Sequence, residues 1–160
     1  VINELSKDHE VIKLPELEAD DAMGIYATEH SGNIIVSPDK DLRQIPGRLY
    51  NMDETMLITP AEGAKWHLIQ TLAGDQTDGY SGVPGIGIKR AVTLFDEHGY
   101  NWQTVIKAFK DKELTEDDAL MNARLARILT CTDYDSEKQA VIPWTPSTDY
   151  RIDDGTGVQN

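Results

Sequence analysis

Gly74-Asp75-Gln76-Thr77-Asp78-Gly79-Tyr80-Ser81-Gly82-Val83-Pro84-Gly85-Ile86-Gly87-Ile88-Lys89-Arg90-Ala91 carries the most information in this chain. Asp75 and Asp78 stand three residues apart, a spacing that puts both carboxylates on one face of a helical turn. The run that follows, apolar–Gly–apolar–Gly and then basic residues and Ala91, is a helix-hairpin-helix signature. Gly85 and Gly87 allow the backbone to approach a phosphate, and the next helix turns its free amides and positive dipole end toward it. Gly82, Val83, Gly85, Gly87, Lys89 and Arg90 are therefore the candidate nucleic-acid-binding residues. Such contacts fix position on a backbone and read no bases. The plainer alternative is a glycine-rich turn that packs two helices.

Working outward, two more acidic groups stand upstream. Glu18-Ala19-Asp20-Asp21 opens a predicted helix, where acids suit the positive end of the dipole. Asp39 and Asp41 follow the apolar strand Ile34-Ile35-Val36, and in open α/β sheets ligands gather beyond the carboxyl ends of strands. Each group alone reads as a cap or a solvated turn. Together Glu18, Asp20, Asp21, Asp39, Asp41, Asp75 and Asp78 form an oxygen-rich set suited to hard cations such as Mg²⁺ or Mn²⁺. Two such ions roughly 4 Å apart can clamp a phosphodiester. Asp20, Asp21, Asp39 and Asp41 are the candidate catalytic residues of that set.

The remaining pattern divides near residue 59. Val11-Ile12-Lys13-Leu14 reads as a strand ended by Pro15, followed by a helix around Ala22–Ala27, the strand Ile34–Val36, and a hairpin from Arg48 to Ile58. This is α/β grammar with a parallel sheet expected. From Thr59 the pattern turns helical. Thr59-Pro60-Ala61-Glu62 is a capping box, with Ala64, Leu68, Ile69 and Leu72 as the apolar face. Ala91, Leu94 and Phe95 mark a second helix ended by Gly99, and Asn101 caps a third. Thr115 and Asp118 cap a fourth, with Met121, Leu125 and Ile128 expected on its buried face and Cys131 on the same apolar helix. The expected parts are thus residues 1–58, residues 59–138, and an extended tail, 139–160.

Composition excludes some classes and leaves others open. The 160 residues carry a formal charge of −13, which on its face disfavours nucleic acid, yet seven of the 28 acids belong to the three clusters. Others, including Asp149, Asp153 and Asp154, read as solvated surface. The single cysteine, Cys131, forms no internal disulfide and suits a reducing compartment. No apolar run reaches membrane-spanning length, and no partner membrane is expected. His9, His30, His67 and His98 show no ligand spacing. Tyr80, beside the hairpin, is a candidate for stacking on a base, whereas Trp66, Trp102 and Trp144 read as core or tail anchors.

The order of these motifs resembles the 5′-nuclease superfamily, which includes the 5′→3′ exonuclease domain of bacterial DNA polymerase I, bacteriophage exonucleases and flap endonucleases. The resemblance covers about residues 10 to 130 and is nearest to a stand-alone phage exonuclease. It implies a PIN-like α/β domain followed by a helical helix-hairpin-helix (H3TH) domain that binds duplex DNA with a 5′ end or flap. It implies two metal ions, Mg²⁺ or Mn²⁺. Glu18, Asp20 and Asp21 would serve the first, Asp75 and Asp78 the second, and Asp39 and Asp41 would lie between. It implies a monovalent cation such as K⁺ on the hairpin carbonyls, and a bacterial or phage-infected cytoplasm. Gly79 stands where the family has asparagine. The family's opening aspartate-bearing strand and basic helical arch have no counterpart here. The resemblance therefore implies a missing N-terminal segment and weak hydrolysis by this chain alone. The alternatives are a non-catalytic duplex-binding module and an RNA-cleaving PIN-type nuclease.

Overall fold

The structure is a computed structural model that describes residue 4 and residues 6–146, 151–153 and 157–159. Helix α1, Ala19–Glu29, starts at Glu18 with Asp20 and Asp21 in its first turn. Strand β1, Ile34–Val36, then pairs in parallel with β2, Gly47–Tyr50, which turns back antiparallel into β3, Thr55–Ile58. The sheet order is β1-β2-β3, and a 3-10 turn, Lys40–Gln44, links the first two strands. Alternation along the strands buries Ile35 and Leu49 with Leu42, Ile45 and Ile128, while Ile34, Val36 and Leu57 of the other face stay exposed.

Two expectations for this part need correction. Val11–Leu14 forms no strand; Val11 and Ile12 are exposed, and only Leu14 packs, with Leu17, near Ile25, Leu129 and Tyr134. A four-residue apolar alternation cannot supply the neighbouring edge that a ladder requires. The sheet is also mixed rather than all parallel, because β2 and β3 form the expected hairpin.

Helix α2, Pro60–Ala73, begins with the expected box: Glu62 N–H donates to Thr59 Oγ1 at 3.1 Å and Thr59 N–H to Glu62 Oε2 at 2.7 Å. Helices α3 (Ile88–His98), α4 (Trp102–Lys110) and α5 (Glu116–Ala126) follow, with Asn101 capping α4 and Thr115 capping α5. Leu68, Leu72, Phe95, Val105 and Phe109 are the fully buried centre of this helical part. The inward face of α5 is Ala119, Ala123 and Ala126, whereas Met121 and Leu125 are 62% and 53% exposed, contrary to expectation. Small side chains let α5 lie close against α2 and α4, where a Met or Leu would hold the helices apart. The helix also ends before Ile128 and Cys131, and Cys131 sits in a half-buried 3-10 turn, Cys131–Asp133.

The two parts meet at Gln44. Its buried amide donates to Gln70 Oε1 at 2.6 Å and to the Ala126 carbonyl, and its Oε1 accepts Ile128 N–H at 3.1 Å. A fully satisfied buried amide fixes relative placement because any shift would strand its polar atoms. Past residue 133 the chain makes a short hairpin, β4 (Tyr134–Asp135) with β5 (Ala140–Val141), and a second, β6 (Arg151–Asp153) with β7 (Gly157–Gln159). Ile152 is buried in the helical core and donates its N–H to the Tyr100 carbonyl at 3.0 Å. The expected extended tail therefore includes a segment that folds back; Asp149 and Asp154 lie outside the described residues.

Candidate functional site

The Gln44 junction brings three distant segments together at one cleft of about 330 Å³. Glu18, Asp20 and Asp21 come from the start of α1, Asp39 and Asp41 from the turn after β1, and Asp78 from the loop after α2. Carboxylate oxygens of Asp41, Asp75 and Asp78 lie within 4.8 Å of one another. Burial raises the pKa of Asp20, and the charges of Asp39, Glu18, Asp21 and Asp78 push it further the same way. Asp41 is likewise raised by burial and by Asp39, with Lys40 opposing and Asp78 and Asp75 adding. Six of the seven acids predicted as ligands thus line this cleft, and Asp75 joins them beside Asp41 and Asp78.

Local hydrogen bonds set most of these side chains. Asp39 Oδ1 accepts Asp41 N–H at 2.9 Å, which caps the 3-10 turn and aims Asp41 inward. Asp21 Oδ1 accepts Leu129 N–H at 3.0 Å, so one of its oxygens is spent on the segment after α5. Asp75 Oδ1 accepts Thr77 N–H at 2.9 Å. The Asp75–Tyr80 loop is closed by two backbone bonds, Asp75 N–H to the Tyr80 carbonyl at 2.9 Å and Tyr80 N–H to the Asp75 carbonyl at 3.0 Å. Gly79 has φ 82°, a left-handed conformation that glycine and asparagine both tolerate, so the substitution noted above keeps the loop's shape.

The donor set fits a hard divalent cation. Asp41 is only 14% exposed, and its Oδ1 is buried with no hydrogen-bond donor; the Lys40 ammonium stands 3.8 Å away. A buried anionic oxygen without a donor is costly, and a cation offsets that cost. The set is all oxygen, with no histidine or cysteine, as Mg²⁺ or Mn²⁺ prefers.

The hairpin is built directly onto this loop. Gly82, with φ 58°, is buried against the backbone of Leu72, Ala73 and Gly74, where any Cβ would collide. Its N–H donates to Asn122 Oδ1 at 2.8 Å, and Val83 N–H to the Leu72 carbonyl at 2.8 Å. Val83 and Ile86 are buried anchors, while Gly85, Gly87, Lys89 and Arg90 face solvent. Gly87 is the N-cap of α3 and offers no side-chain cap, which leaves the first amides of the helix available.

Some contributors escape sequence reasoning. Asn122 shows no signal, being one polar residue on an exposed-looking helix. Tyr80 is 4% exposed and lines the acidic cleft rather than offering a stacking face. Burial, with the charges of Asp41, Asp75 and Asp78, pushes its phenol above the usual range. Its place between Asp78 and Gly82 was the available clue.

No family model matches the chain. It is 32% identical to the exodeoxyribonuclease of Enterobacteria phage T3 over 84% of this chain and 57% of that protein. It is 30% identical to the exonuclease of Escherichia phage T7 over 84% of the chain and 58% of that protein. The 5′-3′ exonuclease of Mycobacterium tuberculosis is 35% identical over 70% of the chain and 42% of its own length. The chain thus spans a little over half the length of the phage relatives. Identities of 30–35% to these exonucleases over most of the chain support its place in the 5′-nuclease superfamily.

Proposed function

We propose that this chain forms the metal-holding and duplex-gripping parts of a 5′→3′ exodeoxyribonuclease that hydrolyses DNA phosphodiesters from a 5′ end or flap. The observation that carries the reading is the convergence of carboxylates from three segments in one cleft, adjoining the glycine hairpin. On this reading residues 1–58 are part of a PIN-like domain, 59–138 an H3TH domain, and 139–160 a tail that follows it. Asp41, Asp75 and Asp78 hold one divalent ion, and Glu18, Asp20, Asp21 and Asp39 hold a second. Bound there, Mg²⁺ or Mn²⁺ supplies Lewis-acid polarisation of a phosphodiester and offsets the crowding of negative charge. The carboxylates fix where the scissile phosphate sits. Gly82, Val83, Gly85 and Gly87 shape the hairpin, its amides and the α3 N-terminus receive a backbone phosphate, and Lys89 and Arg90 add charge. This grip is independent of sequence, and the hairpin carbonyls are the candidate K⁺ ligands.

The experiment is the double substitution Asp75→Asn, Asp78→Asn in the native protein. Mg²⁺-dependent release of nucleotides from labelled duplex should fall about a thousandfold, the scale of a lost metal clamp. Duplex binding, measured by gel shift in Ca²⁺, should persist. Undiminished cleavage sinks the proposal; no metal response in either protein favours a plain duplex-binding module.

A further inference from the structure

Asn122 stands within α5, where asparagine is a weaker helix former than alanine. Its side chain makes two bonds of opposite sense. Nδ2 donates to the Asp118 carbonyl at 2.8 Å, which leaves Oδ1 to accept the Gly82 N–H, also at 2.8 Å. Gly82 is buried, and a buried N–H that loses its acceptor is costly. The entry to the hairpin is thus held from two sides, by the Leu72 carbonyl of α2 through Val83 N–H and by α5 through Gly82 N–H. The two holds lead to different acids. The end of α2 runs straight into the loop that carries Asp75 and Asp78. Asn122 lies about one helical turn before α5 ends at Ala126, roughly 6 Å along the axis. Just past that end, Leu129 N–H donates to Asp21 Oδ1 at 3.0 Å, and Leu125 between them lines the cleft.

We propose that Asn122 is a positioning residue for the duplex grip: through Gly82 it ties the hairpin to α5, and through α5 to the Asp21 side of the cleft. The inference rests on the duplex-binding reading above and adds to it a residue that acts through the hairpin backbone. Released from Asn122, the hairpin keeps its hold on α2 but can turn about it, and the exposed Gly85 and Gly87 lose their fixed aim. Donors already in place receive a phosphate without an ordering cost, so a loosened hairpin binds more weakly.

The test is duplex affinity, read by fluorescence anisotropy in Ca²⁺ over a salt series, for four full chains: wild type, Asn122→Ala, Asn122→Asp and Val105→Ala. Val105 is fully buried on α4, so its truncation destabilises the helical core and leaves the Gly82 bond in place. The temperature is one at which circular dichroism shows all four folded. Asn122→Ala should bind about tenfold more weakly, and its plot of log affinity against log salt should be shallower by about one, the loss of one phosphate contact. Asn122→Asp, whose carboxylate also accepts the Gly82 N–H, should regain the wild-type slope. Val105→Ala should keep both affinity and slope. If Asn122→Ala binds as wild type does, or Val105→Ala weakens as much, the positioning role is overturned and the grip reading stands. A wild-type chain that binds no duplex removes the grip reading first and this inference with it. Should Asn122→Ala fail to fold, amide exchange in the unaltered chain decides: on duplex addition the Gly82 N–H must slow together with those of Gly85 and Gly87, and an unchanged Gly82 overturns the proposal.

Discussion

His67 lies fully buried on α2, and its Nε2 sits 2.8 Å from the Ala123 carbonyl. Because a carbonyl only accepts, Nε2 carries the proton, and Nδ1 has no hydrogen-bond partner. Trp144 meets the ring edge-on at 4.9 Å. Burial first, and the Arg127 charge second, lower its pKa from 6.5 to about 3. The native state therefore keeps His67 neutral, while the unfolded chain takes up a proton below 6.5. Its stabilising contribution is full above 6.5 and is lost as pH falls toward 3, by at most about 1.4 kcal/mol per pH unit. In thermal unfolding between pH 6.5 and 4, His67→Gln should lose less stability on acidification than wild type. Equal slopes for the two proteins refute this. Spacing along the sequence gave no sign that His67 is a core residue; its burial does.

At the scale of elements, α2, the acidic loop, the hairpin and α3 form a continuous run in which two glycines have separable tasks. Gly82 is required by the fold, since its left-handed backbone presses on Leu72, Ala73 and Gly74. Gly82→Ala should destabilise the protein by about 2 to 4 kcal/mol in chemical denaturation, combining strain and overpacking. Gly87 has φ −97°, and open space surrounds its missing Cβ. Gly87→Ala should leave the melting temperature unchanged to within about 2 °C, a small effect in a chain of this size. Duplex affinity in a gel shift should nonetheless drop about tenfold, because the methyl group crowds the amides offered to phosphate. Unaltered affinity would return the hairpin to a helix-packing turn. The same helices show where periodicity misleads. The apolar residues of α5 at helical spacing, Met121 and Leu125, face outward, and the alanines face in.

For the molecule as a whole, the return of the C-terminal segment closes the helical core. Trp144 stacks edge-on against both His67 and Trp102, the latter at 5.5 Å, and its carbonyl accepts Arg124 Nε at 3.1 Å. Trp144→Ala should cost about 2 to 3 kcal/mol, since the side chain is half-buried rather than enclosed. Chemical denaturation checks this, and a loss below about 0.5 kcal/mol, the scale of a surface substitution, would show that the segment is ornamental to stability. Long-range charge also acts at this scale. A formal charge of −13 opposes approach to DNA, and on the proposed reading cations held in the acidic cleft would offset part of that charge. Among the described residues no helix is long and apolar enough to cross a membrane.

Residue types, order and spacing were legible without coordinates wherever the physics is local. The capping boxes at Thr59 and Thr115, the hairpin glycines, and the three pairs or triplets of acids all follow from interactions within a few residues. Contacts across the chain were not legible. The single acidic cleft, the burial of Tyr80, the hold of Asn122 on Gly82 and the alanine face of α5 depend on which surfaces meet. Sequence fixes what each segment can offer, but only packing, here organised around the buried Gln44, decides which offers face one another.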